Sequence, residues 1–234
     1  MQAYTAILFA ACVIAFPARA YEAVRVADGA TITGKVIFNG PVTTRKIITT
    51  KDQDVCGGIR DEVEIVVGAD KGVQDTIVYL QGVAKGKAWP KLERAAVIDN
   101  VKCKFEPYVQ VIAAGEVEVV NSDPVLHNTK AFYGRRSAFN IALPNKDQRI
   151  KAELPRPGEV RVECDAHGWM QGWVYVAESP YFAVTPQSGA FTITDIPPGS
   201  YTLMAFQPYT GVMEIPVTVK AKETAQVSVE LKKK

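Results

Sequence analysis

Short runs in which apolar and polar residues alternate account for most of the chain. Ala30–Phe38 reads ATITGKVIF and Thr76–Leu80 reads TIVYL; similar β-branched runs cover Tyr108–Ala113, Glu116–Val120, Arg149–Leu154, Glu159–Cys164, Gly172–Ala177, Ala190–Thr194, Tyr201–Phe206 and Gln226–Leu231. A period of two puts every second side chain on one face of a strand, so each run predicts a half-buried strand. Gly, Pro, Asn and Asp punctuate them at intervals typical of sandwiches. No 3.6-residue apolar period of any length appears, and the best helical stretch, Arg135–Phe139, predicts a turn at most. The expected fold class is all-β.

Punctuation also divides the chain. Residues 84–94 (AKGKAWPKLER) are polar and basic and carry Pro90, which reads as a connector; Glu178-Ser179-Pro180 reads as a second boundary. The expected parts are an N-terminal β segment over 21–94, a central β domain over 95–178 and a C-terminal β segment over 179–234. Ahead of them, an apolar run from Ala6 to Phe16 ends in Ala18-Arg19-Ala20, the small-x-small pattern of a cleaved signal peptide. The expectation is an exported, periplasmic protein that begins at Tyr21 and has no transmembrane segment, because no run approaches the roughly 20 apolar residues a spanning helix needs.

Charge changes this picture little. The sequence has 27 Lys and Arg against 25 Asp and Glu, and loss of Arg19 with the leader brings the balance nearer to zero. Neither nucleic acid nor an anionic membrane is an expected partner, and Lys232-Lys233-Lys234 reads as a solvated tail. The cysteines say more. Past the leader stand Cys56, Cys103 and Cys164, an odd number in an oxidising compartment. Cys56 with Cys103 is the natural disulfide if Cys164 has another task, and two separate buried thiols are the alternative.

That task is suggested by the only two histidines. His127 lies in Asn121-Ser122-Asp123-Pro124-Val125-Leu126-His127-Asn128, and His167 lies in Cys164-Asp165-Ala166-His167-Gly168-Trp169-Met170. Together these stretches supply two imidazoles, a thiolate and a thioether. His127, Cys164, His167 and Met170 are the donor set of a mononuclear type 1 copper: a trigonal His2Cys plane with a weak axial Met. Soft sulfur donors suit Cu(I) and imidazoles keep Cu(II) acceptable, so both redox states can be held. Zinc fits less well because a thioether is a poor zinc ligand. A thiol nucleophile is disfavoured by the three-residue spacing of Cys164 and His167 in a loop between strands. There is no haem-attachment motif, no Gly-x-Ser-x-Gly and no phosphate-cradling glycine loop. With all four positions around a metal filled by protein, an enzyme is not expected.

Asn121 to Asn128 and Cys164 to Met170 resemble the cupredoxin superfamily, and the Cys-x-x-His-x-x-Met spacing is most similar to amicyanin. The longer series Cys103-Lys104-Phe105-Glu106-Pro107, Asn121-Ser122-Asp123-Pro124 and Cys164-Asp165-Ala166-His167 resembles exported cupredoxin-like proteins of methylamine utilisation. Tyr108 departs from that pattern, which has a His after Pro107. Ser188 to Leu203, a strand, a Pro197-Pro198-Gly199 turn and a strand, resembles the second half of a carboxypeptidase regulatory-like, or transthyretin-like, sandwich; Thr31 to Phe38 is similar to its first half. The resemblance implies a cupredoxin Greek-key sandwich inserted in a split transthyretin-like one. It also implies that Asn128 ties the first ligand turn to the cysteine loop, and that electrons pass through an exposed edge of His167. Trp169 beside that edge would either dock a partner or pack the loop. The implied role is single-electron transfer with a redox partner such as a c-type cytochrome or periplasmic dehydrogenase. The competing roles are an accessory protein in methylamine utilisation or quinone-cofactor dehydrogenase maturation, and a copper carrier.

Overall fold

Alternation along Ala30–Phe38 becomes burial in the computed structural model, which describes residues 21–91 and 95–233: Ala30, Ile32, Val36 and Phe38 point inward. The predicted leader lies outside the described residues. Ala30–Phe38 pairs parallel with Thr224–Leu231 and antiparallel with Ala190–Ile196. The facing sheet runs Phe182–Val184, Ile77–Gln81, Gly199–Gln207 and Gly211–Val219. Strands from both ends of the chain thus share one core, with Ile32, Val36 and Val229 meeting Leu80, Leu203 and Ala205. Ala30–Phe38 and Tyr201–Phe206 belong to opposite sheets of this outer sandwich and meet across its core, not edge to edge.

The intervening chain builds a central sandwich. One sheet runs Gln148–Leu154, Gly115–Asn121, Ala96–Val101 and Lys104–Glu106. The other runs Arg136–Leu143, His127–Tyr133, Gly158–Glu163, Gln171–Ala177 and Val109–Ala113. Ile98, Phe105, Val117, Leu154, Val162 and Val174 fill the space between them. A third apolar group, Ile77, Val109, Tyr175, Ala177 and Phe206, joins the two sandwiches. There Tyr79 stacks on Tyr175 with ring centroids 4.1 Å apart, a geometry that adds to simple area burial.

Three local expectations are corrected. Arg136–Leu143 is an edge strand instead of a turn; the turn is the two-residue loop before it, where Gly134 takes a positive φ of 59°. The outer face of that strand, Arg136, Ala138, Asn140 and Ala142, is exposed, and its alanines blur the alternation with Phe139, Ile141 and Leu143. His127 does not sit within a turn but opens the strand His127–Tyr133. N-terminal residues 44–63 do not join the outer sandwich: Thr44–Ile47 and Arg60–Val63 pair as a separate hairpin, and between them the chain makes a single-turn helix, Gln53–Cys56. No helix among the described residues is long and apolar enough to cross a membrane.

Candidate metal centre

The first half of the site is set by Asn121, fully buried at the end of its strand. Its side-chain amide donates to the carbonyls of Val125 and Leu143, each at 2.9 Å, while its Oδ1 accepts the Asp123 N–H at 3.0 Å. These bonds fold residues 122–126 into a turn that delivers His127 inward. Asp123, in the same turn, accepts the backbone N–H of Lys102 at 2.7 Å and of Cys103 at 2.8 Å. Both donors lie in a left-handed turn, with φ of 50° and 56°, ahead of Lys104–Glu106. The Asp123 carboxylate then reaches His127 Nε2 at 2.9 Å.

The second half is the loop between Gly158–Glu163 and Gln171–Ala177. Because paired strands fix both of its ends, a few residues can hold Cys164 and His167 at one place, and Met170, at the end of the loop, is buried in the same core. The Met170 N–H closes the loop on the His167 carbonyl at 2.9 Å. His127 Nδ1 and His167 Nδ1 lie 3.0 Å apart, and Cys164 Sγ lies 3.9 and 3.8 Å from them. His127 and His167 are fully buried, Cys164 is 2% exposed and Met170 3%; both sulfur residues belong to the central apolar core.

Each imidazole also has a carboxylate behind it. Asp52 Oδ2 lies 2.9 Å from His167 Nε2, as Asp123 does from His127 Nε2. A carboxylate can only accept, so each Nε2 carries the proton and each Nδ1 presents a lone pair. Two lone pairs 3.0 Å apart repel unless a cation or a proton lies between them. Burial opposes the proton: it pushes the His127 imidazole below its ordinary value, with Asp123 partly offsetting this. Burial also pushes the Cys164 thiol up, against the N–H groups of Asn128, His167 and Ala166. A metal ion removes both conflicts, since it takes the imidazole lone pairs and lowers a bound thiol's affinity for its proton. The soft, nitrogen-and-sulfur character of the set fits copper.

Asn128 links the two halves. Its N–H points at Cys164 Sγ from 3.5 Å, and its Oδ1 accepts the N–H of Asp165 at 2.7 Å and of Ala166 at 3.1 Å. Cys56 and Cys103 form a disulfide, and their sulfurs lie within 4.8 Å of a His167 ring nitrogen.

The expectation of an exposed His167 edge is overturned: the ring is fully buried and Asp52, with residues around it, lies over Nε2. Trp169 leans on the His167 ring, with centroids 5.1 Å apart, and its carbonyl accepts from Arg45 at 3.4 Å. With Met170, Cys103 and Tyr209 it lines a cleft of about 670 Å³ that runs to the outer sandwich. Asp123 was within reach of the sequence, four residues before His127. Asp52 carries no sequence signal, being 115 residues from the histidine it touches.

The family model described as "Polysaccharide lyase family 4, domain II" matches residues 165–227. This differs from the carboxypeptidase regulatory-like pattern suggested by the Pro-Gly turn. No curated protein matches the chain. Among solved structures, the chain is similar to a copper-containing nitrite reductase from Thermus scotoductus at 25% identity and TM-score 0.33, over 40% of this chain and only 24% of that one. It is similar to a purple cupredoxin from Nitrosopumilus maritimus at 24% identity and TM-score 0.31, over 35% of this chain and 99% of that one. Amicyanin from Paracoccus versutus is 23% identical at TM-score 0.32, over 37% of this chain and 85% of that one.

Proposed function

We propose that this chain is an exported, periplasmic type 1 copper protein of cupredoxin kind, and that it carries single electrons between redox partners. One observation carries the reading: two imidazole Nδ1 atoms and one thiol converge in a water-excluded pocket with both Nε2 atoms committed to carboxylates. His127, Cys164 and His167 would hold the ion, with Met170 as the fourth, weaker ligand. The ion would supply a one-electron couple, Cu(II) to Cu(I), with no substrate bond made or broken.

The protein's part is to keep the donors still. Asp123 orients His127 and Asn128 holds the cysteine loop, so little rearranges when charge at the centre changes by one. Burial keeps water from a coordination position, which disfavours a hydrolytic or substrate-binding role. The same burial favours a retained ion over one handed to an acceptor, which places electron transfer ahead of copper carriage. An accessory role in methylamine utilisation or in maturing a quinone-bearing dehydrogenase would use the same centre.

Absorption and electron paramagnetic resonance of the copper-loaded protein test the reading. An intense visible sulfur-to-copper band with a narrow copper hyperfine splitting is the expected result. A colourless Cu(II) complex with tetragonal parameters would overturn it.

A further inference from the structure

His167 stands at the loop end of the central sandwich, yet it is fully buried. What covers its outer nitrogen does not come from that sandwich. Asp52 belongs to the N-terminal chain, 115 residues away, on the stretch that links Thr44–Ile47 to Arg60–Val63. This stretch is braced at several points. The Thr49 hydroxyl donates to the Gly58 carbonyl at 3.2 Å, Gln53 Nε2 donates to the Thr49 carbonyl at 2.8 Å, and Arg60 donates to the Cys56 carbonyl at 3.0 Å. Cys56 is buried in the central core and bonded to Cys103, whose own N–H is held by Asp123.

The backbone of Asp52 adds a second mark. It lies in the left-handed region, φ 52° and ψ 35°, and its carbonyl accepts the N–H of Cys56 at 2.8 Å. Asp tolerates this conformation better than most residues, and in this turn its carboxylate faces His167. Asp52 and Asp123 differ in how they are held. Asp123 is buried and accepts two backbone N–H groups besides its histidine, whereas Asp52 keeps a side chain 35% exposed and, among the described residues, bonds through its carboxylate to His167 alone.

We infer that Asp52 is a positioning residue for the metal centre, delivered to it by the disulfide-pinned N-terminal strap. It holds His167 by the Nε2–H so that Nδ1 faces the ion, and it covers the outer edge of that ligand. The central sandwich by itself therefore holds an incomplete site. This inference rests on the metal reading above.

Two measurements on the full-length protein test it. In the metal-free protein, the His167 Nε2–H resonance should be protected from solvent exchange, and Asp52→Ala should abolish that protection. Asp52→Asn, whose amide oxygen still accepts, should keep much of it. The Nε2–H of His127, held by Asp123, is the control that the fold is intact. In the copper-loaded protein, Asp52→Ala should speed copper loss to a chelator about 10- to 100-fold, the usual effect of removing a carboxylate behind a ligating imidazole. The paired change Cys56→Ser with Cys103→Ser should act in the same direction by freeing the strap, which offers a second route should Asp52→Ala fail to fold. Protection and copper release both within twofold of wild type in Asp52→Ala would overturn the inference. Loss of protection in a protein that binds no copper in either form would keep the Asp52 contact and overturn the metal reading instead.

Discussion

Asp123 and His127, four residues apart across one turn, share a buried contact of 2.9 Å between carboxylate and Nε2. The same carboxylate satisfies two backbone N–H groups, so its removal strands three donors. Asp123→Ala should lower the stability of the metal-free protein by about 3 kcal/mol, since bonds to a charged acceptor contribute roughly 1.5–3 kcal/mol each and relaxation recovers some of the loss. Urea denaturation reads this directly. An unchanged midpoint would mean that the 122–126 turn is held by Asn121 alone.

Cys164 and Met170 are expected to separate spectroscopically. Cys164→Ser removes the thiolate and should abolish the visible charge-transfer band, whereas Met170→Leu should move the band and leave copper bound. Loss of copper from Met170→Leu would count against a weak axial role for Met170.

Trp169 packs on the His167 ring and lines the cleft between the sandwiches, so it covers the site more than it advertises it. Trp169→Ala should cost about 2 kcal/mol, below the range for a fully buried Trp because the side chain is only partly buried. It should also admit an external ligand such as azide to the copper, seen as a new absorption band. If electron exchange with a redox partner slowed while stability and azide access stayed at wild-type levels, Trp169 would be a docking residue.

Glu159 sits opposite Tyr175 on adjacent strands, where burial pushes its carboxyl up from the usual range. An acid whose folded value is raised destabilises the native state as pH climbs from the unfolded value, near 4.3, through the folded one, and that penalty is fully present above it. Glu159→Gln should therefore raise Tm at pH 7, and the gain should vanish below about pH 4. Calorimetry at the two pH values checks both the sign and the window.

What the linear sequence determined is local. Period-two alternation in strands buried on one face was legible, and Ala30–Phe38 came out at its observed bounds because its inward residues are all apolar. The edge strand Arg136–Leu143 was not, because alanines at the exposed positions 138 and 142 blur the alternation set by Phe139, Ile141 and Leu143. The ligand candidates His127, Cys164, His167 and Met170 could be named from residue type and spacing, because one short loop supplies three of them and its neighbours in sequence remain its neighbours in space. Pairing of Cys56 with Cys103 was the natural expectation once Cys164 was set aside as a ligand, and of the two alternatives it is the one observed. Tertiary structure alone decided how the site is closed. Asp52 meets His167 only because strand pairing and a disulfide carry the N-terminal chain back over the central sandwich, and contacts between residues 115 apart leave no mark in local patterning.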